Sequence, residues 1–279
     1  MKKICFCLII FALMNLHVKF DQVEASGNKI NLKISKEVSY YGEIKNGKPH
    51  GQGTMKWGET KTYSGTWSNG KRSGYGKYTF IDKSQASPEG DMLDNIRTTT
   101  YVGNWINDKQ NGQGVFKTSV DALHSGNEEG LLEKGLFKNN IFVKGYSLGF
   151  LSNNYISISY KDSNNEVSVN TERLLLDGAN SISELIELGK YSDITFTTKD
   201  QKGNKNTISY SYVKESDAEY APFHFSKVRY MNQKVIYETE THAELDNRET
   251  QQEIYNKIKP YKVGLEGMFS LMRNFYENI

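Results

Sequence analysis

The sequence predicts a mainly β protein in which tandem antiparallel β-hairpins form a ribbon, followed by an α+β domain that ends in helices. Three observations lead to this fold class. Segments with the same spacing of aromatic residues and glycines recur between residues 40 and 140, as in a repeat array. Pairs of asparagine, aspartate and glycine fall at the same place in each segment. Eighteen of the 24 glycines lie between Gly42 and Gly149, so the composition changes near residue 150.

Three repeat units are clear, and a fourth is degenerate. The residues that define the clear units are Tyr40, Gly42, Gly51 and Gly53 in the first, Tyr63, Gly65, Trp67, Gly74 and Gly76 in the second, and Tyr101, Gly103, Trp105, Gly112 and Gly114 in the third. In the fourth unit Glu133 stands in the place of the first tyrosine, and the closing glycine pair is missing. We expect this unit to be a terminal cap that joins the ribbon to the second domain.

Each unit is predicted to be a β-hairpin. The residues at the turns tolerate the positive φ that a tight hairpin needs, and they are Asn46-Gly47, Asn69-Gly70, Asn107-Asp108 and Asn139-Asn140. Before the second turn, Tyr63, Gly65 and Trp67 alternate with polar residues, which places the aromatic side chains on one face. Because glycine weakens a strand, a recurrent pair on the return strand predicts that an aromatic ring of the same or the next unit lies over it.

The pattern Tyr-x-Gly-x-Trp-x-x-Gly followed by Gly-x-Gly resembles the MORN repeat, and residues 47–54 (GKPHGQGT) are similar to that family's usual turn. The resemblance covers about residues 38–145. Two insertions, about residues 82–98 and 118–131, depart from the family spacing, and we interpret them as surface loops. The resemblance implies an elongated, twisted antiparallel ribbon used for binding or scaffolding. Members of the family have been linked to phospholipid contact and to self-association, and the repeats alone imply no catalysis.

The N-terminus has the features of a secretory signal. Lys2 and Lys3 precede an apolar run, Ile4 to Leu16, that is too short to favour a membrane span, and the segment 23–25 resembles a cleavage site. The expected organisation is therefore a signal peptide (1–25), an N-terminal lead-in (26–37), the repeat domain (38–145) and an α+β domain (146–279). We expect a secreted or cell-surface protein, with a signal-anchored form as the alternative, and the style of the sequence indicates a bacterial source.

Composition limits the possible partners. The formal net charge is +2, and the linear sequence contains no concentrated basic stripe of the kind that nucleic-acid binders carry, so we expect no nucleic-acid partner. Both cysteines, Cys5 and Cys7, lie in the predicted signal, which leaves the mature chain without thiols. The expected partner is a protein or a cell-surface component, with phospholipid and self-association as possibilities that the resemblance implies.

Residues after 150 resemble no family, and their pattern predicts short strands followed by helices. Predicted strands cover residues 155–160, 166–173, 193–199, 207–214, 223–231 and 234–239. A short helix is predicted over 182–188, with Ser181 as N-cap and Glu184 in capping-box position. Asn247 is predicted to cap a helix that ends near Pro260. A last helix is predicted with a broad apolar face, which we interpret as packing on the domain's own sheet rather than on a membrane or partner. The residues of this stripe are Leu265, Met268, Phe269, Met272, Phe275, Tyr276 and Ile279.

No catalytic, cofactor-binding or metal-binding residues are predicted. Ser147 fits the letters of a Gly-x-Ser-x-Gly nucleophile motif, but that motif requires a strand-to-helix turn in a parallel sheet. His50 lies at a hairpin position where MORN repeats often carry histidine. His224 and His242 lie near Glu238, Glu240 and Glu244 in a spacing that matches no metal motif. The acidic segments 89–94 and 127–129 lack a full calcium ligand set.

Three functions are compatible with these features. An exported binding or scaffold protein without catalysis is favoured, because the repeat has a clear architecture and no reaction site is visible. Phospholipid association through the repeats is the second possibility. An enzyme with its site in residues 146–279 is the third.

Overall fold

The structure is a computed structural model, and it describes residues 29–83, 95–122, 129–150, 155–172, 179–214, 223–241 and 248–277. Within these residues, fifteen strands form one antiparallel sheet whose spatial order is the order of the chain. Each strand therefore pairs with the strands that precede and follow it, as in an extended meander. The predicted mainly β fold is confirmed, and the helices of the described residues lie in the C-terminal part.

The strands fall into two groups on either side of residue 151. The first nine are β1 (Ile30–Lys33), β2 (Val38–Lys45), β3 (Lys48–Trp57), β4 (Lys61–Ser68), β5 (Lys71–Lys83), β6 (Asn95–Ile106), β7 (Lys109–Ala122), β8 (Glu129–Lys138) and β9 (Ile141–Phe150). The remaining six are β10 (Tyr155–Lys161), β11 (Asn165–Glu172), β12 (Asp193–Lys199), β13 (Lys205–Lys214), β14 (Phe223–Met231) and β15 (Lys234–Thr241).

Three described α-helices accompany the sheet: α1 (Ile182–Glu187), α2 (Arg248–Ile258) and α3 (Lys262–Glu277), the last two joined by a 3₁₀ turn at Lys259–Tyr261. Helix α1 begins as its sequence predicts, because the Ser181 hydroxyl accepts a hydrogen bond from the Glu184 amide at 3.0 Å. Pro260 lies in the 3₁₀ turn and interrupts the helical segment at the predicted place.

The helices cover one face of the C-terminal strands and form the larger hydrophobic core there. Ile156, Ile158, Val167, Val169 and Ile194 point from β10–β12 into this core. The apolar face of α3 supplies Leu265, Met268, Phe269 and Met272, each at most 3% exposed, and it contacts β9 and β10. The predicted packing of this helix on its own sheet is confirmed for these four residues. Phe275, Tyr276 and Ile279 of the same predicted stripe lie outside the described side chains.

Helix α2 is tethered to the sheet by a half-buried polar cluster. The Tyr210 hydroxyl donates to one Glu253 oxygen at 2.7 Å, and the Lys227 ammonium donates to the other at 2.6 Å. Burial alone raises the pKa of the Glu253 carboxyl, but the hydrogen bonds from Lys227 and Tyr210 hold it below its ordinary value. The pKa of the Tyr210 hydroxyl is raised by burial and by the same carboxylate, so the phenol remains a hydrogen-bond donor.

The two insertions in the repeat segment are not simply loops, which corrects the sequence interpretation. Strand β5 runs to Lys83 and β6 begins at Asn95, while β7 runs to Ala122 and β8 begins at Glu129. Residues on both flanks of each insertion are paired, for example Ile81 with Thr98 and Ser119 with Gly130. Extra residues at these points lengthen the hairpin, because paired strands satisfy backbone groups that a loop would leave to water. Residues 84–94 and 123–128 lie outside the described part.

The sheet continues without interruption across the predicted domain boundary. Residues 145 and 146 both lie inside β9, which pairs with β8 on one side and β10 on the other. The division into a repeat domain and an α+β domain at this position stays a prediction.

The hairpin turns of the second half recur with the intervals of the first half. The turns that close β2–β3, β4–β5 and every second pair thereafter begin at residues 46, 69, 107, 139, 162, 200 and 232. Successive intervals are 23, 38 and 32 residues, then 23, 38 and 32 again, so the pattern repeats after 93 residues. Each turn begins with asparagine or aspartate. The C-terminal strands thus continue the hairpin series of the repeats, although they lack the glycine pattern.

Candidate binding surface of the repeats

The tight turns have the backbone conformation that their residues predict. Asn46, Asn69, Asn107 and Asn139 have φ between 49° and 52°, and the residue after each also has positive φ. Two successive positive φ values make the type I′ geometry that matches the right-handed twist of the flanking strands. The turns therefore fix the register of the strands that carry the repeat residues.

Both glycines of each closing pair are needed, but for different reasons. Gly51, Gly74 and Gly112 have φ of 59°, 57° and 98°, in the left-handed region that favours glycine. They lie where the register shifts between the strands of each hairpin. The sequence pattern predicts a covering ring for the whole pair. For the first glycine, the backbone conformation at the bulge is the dominant requirement.

A tyrosine ring lies over the second glycine of each pair. A Cβ placed on Gly76 would lie 2.3 Å from the Tyr63 hydroxyl oxygen and 2.5 Å from Cζ of that ring. Gly53 and Tyr40 have the same relationship at 2.3 Å, and Gly114 and Tyr101 at 2.4 Å. The opposing glycines, Gly42, Gly65 and Gly103, pair with Gly53, Gly76 and Gly114 across each hairpin. Because neither glycine of a cross-strand pair has a side chain, there is space for one phenol ring.

The tyrosines and tryptophans of successive units form one continuous aromatic ladder. Trp67 stands edge-on between Tyr40 at 5.7 Å and Tyr63 at 5.0 Å, measured between ring centroids. Trp105 stands in the same way between Tyr63 at 5.4 Å and Tyr101 at 5.1 Å. These edge-to-face contacts are the preferred geometry of aromatic pairs. The ladder residues are buried, with Tyr63 and Tyr101 at 0% exposure.

Hydrogen bonds join each unit to its neighbour along the ladder. The Trp67 indole donates to the Gly53 carbonyl at 3.0 Å, and the Trp105 indole donates to the Gly76 carbonyl at 3.2 Å. The Tyr63 hydroxyl donates to the Thr66 carbonyl at 3.0 Å. Burial raises the pKa of Tyr101 to about 12, so this phenol stays protonated at neutral pH. The aromatic residues that define the repeat are therefore structural.

A cation that the sequence analysis did not single out joins units two and three. The Arg72 guanidinium lies 4.3 Å from the Trp105 ring centroid, and its Nε donates to Asp108 at 3.1 Å. The same carboxylate accepts from the Arg72 backbone amide at 2.9 Å. The signal in the sequence is the aspartate in the third turn, where the first two turns have glycine.

The fourth unit lacks the tyrosine ring that covers the glycine pair in the other three units. Gly145 pairs with Gly135, as Gly53 pairs with Gly42, but it lies one residue nearer its turn and no glycine precedes it by two. Around a Cβ placed on Gly145, the three nearest atoms belong to the backbone of Lys134 and Gly135, with no ring atom among them. Burial raises the pKa of the Glu133 carboxyl at the tyrosine position, an effect that the charge of Lys161 opposes. Phe137 and Phe142 continue the ladder beside it.

The opposite face of the repeat strands carries exposed side chains suited to binding. Tyr41 and Tyr75 are 51% and 47% exposed. Neighbouring residues along a strand point to opposite faces, so these two tyrosines lie opposite the Tyr40 ring and the Gly76 position. Lys56, Lys134 and Lys144 are exposed on the same face, placed there by strand register. We call this surface the outer face of the repeats.

Candidates for chemistry are not assembled into a reaction site in the described residues. Ser147 lies in the middle of β9 and shares a 2.6 Å hydrogen bond with Ser159, away from any strand-to-helix turn. His224 belongs to β14, but its side chain is not among the described ones, and His242 lies outside the described residues. His50 lies in β3, half-buried beside the first turn. Across the described segments, the structure groups no three His, Cys, Asp or Glu residues as metal ligands.

Among the same segments, the structure contains no helix with the length and apolarity that a membrane crossing requires.

Comparison with known proteins identifies the repeat segment. The family model of the MORN repeat matches residues 40–59, 63–85 and 101–119. Over 49 residues the chain is 47% identical to alsin of Rattus norvegicus and 45% identical to alsin of Homo sapiens. That match covers 18% of this chain, and the chain spans only 3% of the length of these curated relatives. Proteins with this repeat are generally non-catalytic, and they often bind other proteins or membrane phospholipids.

Proposed function

We propose that this chain, whose residues 40–119 are MORN repeats, is an exported, non-catalytic binding protein that uses the outer face of the repeats to hold a protein partner. One observation carries the proposal. The aromatic residues of the repeat pattern are buried in the ladder, while Tyr41 and Tyr75 remain about half exposed on the other face. The repeats thus stiffen a ribbon and leave one of its faces available.

The outer face has the composition of a protein interface. Tyrosine is enriched at binding hot spots, because it contributes a large rigid surface with few rotatable bonds. Exposed Leu136 and the lysines Lys134 and Lys144 lie on the same face as the tyrosines. The ladder beneath fixes the strands, which limits the conformational entropy lost on binding.

Site-specific photo-crosslinking tests this surface. A photoreactive phenylalanine analogue replaces Tyr41 or Tyr75 in the full chain, and Val263 on α3, at 90% exposure, provides the control position. We expect one defined adduct in native extracts from the two outer-face positions and none from the control. Equal labelling at all three positions, or no adduct at Tyr41 and Tyr75, would contradict the proposal.

Export is the part of the proposal that depends on the N-terminus. Its support is the charged start, Lys2 and Lys3, followed by the apolar run from Ile4 to Leu16. We expect N-terminal sequencing of the mature protein to begin near Ser26, and cell fractionation to find it outside the cytoplasm or at the bacterial cell surface. A full-length product that starts at Met1 in the cytoplasm would refute export.

The absence of catalysis is tested directly. The Ser147→Ala and His224→Ala variants of the full chain are compared with the parent in a general hydrolase screen. We expect no activity in the parent above that of a heat-denatured sample. An activity that either substitution abolishes would replace the binding proposal with an enzyme.

Phospholipid association is the second candidate, and the exposed Lys56, Lys134 and Lys144 on the outer face favour it. A lysine near an anionic membrane surface contributes about 1 kcal/mol, and this attraction is screened by salt. Sedimentation with anionic and neutral vesicles at low and high salt separates the two candidates. Salt-sensitive binding to anionic vesicles that the Lys56→Glu/Lys134→Glu/Lys144→Glu variant loses would favour lipid.

A further inference from the structure

The tight turns of alternate strand pairs all lie at one end of the sheet, which we call the turn end. A meander alternates its connections between two ends, so the turns at residues 46–47, 69–70, 107–108, 139–140, 162–164, 200–204 and 232–233 share an end. Every one of them has a lysine within it or directly beside it: Lys45, Lys48, Lys71, Lys109, Lys138, Lys161, Lys199, Lys202, Lys205 and Lys234. We call these the turn-end lysines.

These lysines form an exposed row with few compensating charges. All are exposed except Lys161, which is half-buried over the Phe142 ring. The three aspartates within the turns have local partners: Asp108 pairs with Arg72, and Asp162 and Asp200 accept hydrogen bonds from their own turns. Glu166 lies beside the fifth turn and is the nearest further carboxylate in that strand pair. The end therefore has a strong positive excess in a chain whose net charge is +2.

Hydrogen bonds between neighbouring turns hold the row in place. The Gly70 amide donates to the Pro49 carbonyl at 2.8 Å, and the Asn140 amide donates to the Gln110 carbonyl at 3.0 Å. In the C-terminal half the Asn232 amide donates to the Lys205 backbone carbonyl at 2.8 Å. Because the backbone of the turns is fixed in this way, ligand binding has to order only the lysine side chains, which limits the loss of entropy.

The geometry of the row selects the shape of its ligand. Neighbouring turns are two strands apart, roughly 10 Å, so the seven turns extend over about 58 Å. Strands in a sheet rotate by about 20–25° each, so the row rotates by roughly 240–300° from its first turn to its last. A flat bilayer can contact only part of such a row, whereas a flexible chain can follow all of it.

We propose that the turn end binds a linear polyanion, a flexible chain with a phosphate at each repeat, along the row of turn-end lysines. The recognised chemistry is the repeating phosphate charge, which lysine binds as a point charge without demanding one planar geometry. Aromatic stacking platforms, which single-stranded nucleic-acid binders use, are absent from the seven described turns, so bases add nothing to this recognition. By strand register, Lys45 and Lys138 lie on the same side of the sheet as Tyr41 and Lys134, but nearer the turns. The polyanion proposal is therefore tested at other residues than the outer face and does not require that face to bind a protein.

Calorimetric titration of the full chain with inorganic polyphosphate tests the proposal, with poly(glycerol phosphate) and oligodeoxythymidylate as further probes. The test variant is Lys71→Glu/Lys109→Glu/Lys138→Glu at the turns. The control variant is Lys33→Glu/Lys36→Glu/Lys83→Glu, whose exposed lysines lie at the end of the sheet away from the tight turns, and it changes the net charge equally. Thermal unfolding confirms that both variants remain folded.

We expect the three probes to bind alike, because all share the repeating phosphate. Binding should weaken as salt increases, since each neutralised phosphate contributes about −0.7 to the slope of log K against log salt. The turn variant should lose at least about tenfold in affinity near 50 mM salt and roughly 2 from the slope. The control variant should bind like the parent, and a Lys199→Glu/Lys202→Glu/Lys205→Glu variant should weaken binding as the first turn variant does.

Several results would overturn the proposal. The first is no binding of polyphosphate at 50 mM salt. The second is equal weakening by the control variant, which would reduce the effect to net charge. Binding of oligodeoxythymidylate alone would indicate base contacts, and binding of anionic vesicles without polyphosphate would indicate a membrane surface. A crosslinking failure at Tyr41 and Tyr75 would leave the polyanion result unaffected, so the two proposals fail separately.

Discussion

A methyl group added to Gly76 tests whether the tyrosine ring over the paired glycines stabilises the ribbon. In the Gly76→Ala variant the new Cβ would lie 2.3 Å from the Tyr63 hydroxyl oxygen and 2.5 Å from Cζ. Ordinary contacts of this kind are about 3.5–4.0 Å, so the ring has to move by roughly 1 Å. It is fixed on both sides, because Trp67 and Trp105 stand against it at 5.0 and 5.4 Å.

The magnitude follows from what the displaced ring loses. Overpacking of a well-packed site costs about 1–3 kcal/mol. The Tyr63 hydroxyl also gives up its bond to the Thr66 carbonyl, which adds about 1 kcal/mol. We therefore expect Gly76→Ala to lower the free energy of unfolding of the repeat segment by about 2–4 kcal/mol.

Urea denaturation followed by tryptophan fluorescence is the appropriate assay. All three tryptophans, Trp57, Trp67 and Trp105, lie in the repeats, so the signal reports this segment rather than the helices. The control is the same substitution in a Tyr63→Ala background, where the obstructing ring is gone. There Gly76→Ala should change stability by no more than about 0.5 kcal/mol, so the double-mutant cycle should give a coupling of about 2 kcal/mol or more. An equal cost in both backgrounds would refute the stacking argument.

Three further predictions concern sites outside the first three units. Gly264→Ala should lower the melting temperature in a calorimetric scan, because the new Cβ would meet the Tyr146 ring. Gly267→Ala is the control, because a Cβ there meets open space, and it should raise stability by about 0.5–1 kcal/mol through helix propensity. Glu133→Tyr should stabilise the repeat segment by about 1 kcal/mol and so raise its urea midpoint, because it supplies the missing ring and removes a half-buried carboxyl. A lower midpoint would show that there is no space for the ring. Because the pKa of Glu253 is lowered in the folded state, the ionised carboxylate stabilises the fold above the ordinary carboxyl pKa of about 4.3. This contribution is lost as the pH falls through the folded pKa. The stability of the Glu253→Gln variant should therefore fall less steeply with acid than that of the parent.

Local signals in the sequence predicted much of the structure correctly. The turn pairs such as Asn69-Gly70 specify positive φ by their residue types, and the alternation of Tyr63, Gly65 and Trp67 specifies a face. Ser181 predicted the start of α1, because a capping hydroxyl and its target amide are three residues apart. In each case the interaction that decides the structure is contained within a few residues.

The features that were missed depend on contacts distant in the sequence. Gly51 and Gly53 look alike in the chain, yet the first is required by its own φ and the second by the Tyr40 ring. Arg72 and Asp108 are 36 residues apart, and nothing local in the sequence pairs them. In the strands after residue 150, apolar and polar residues alternate in the ordinary way. This alternation predicts a strand but not the sheet that the strand joins.

The basic row at the turn end is not visible in the linear sequence, and the expectation of no nucleic-acid partner stays a prediction. Successive turns are separated by 23 to 38 residues, so a window that moves along the sequence never includes more than two clusters of turn-end lysines. The meander brings every second turn to the same end, and the repetition of the intervals after 93 residues extends this arrangement through both halves. Because a hairpin connection of any length returns the chain to the same end, insertions such as 84–94 change the interval but not the end at which the next lysine lies. The charge pattern is therefore a property of topology, and a nearly neutral chain can carry a concentrated basic surface.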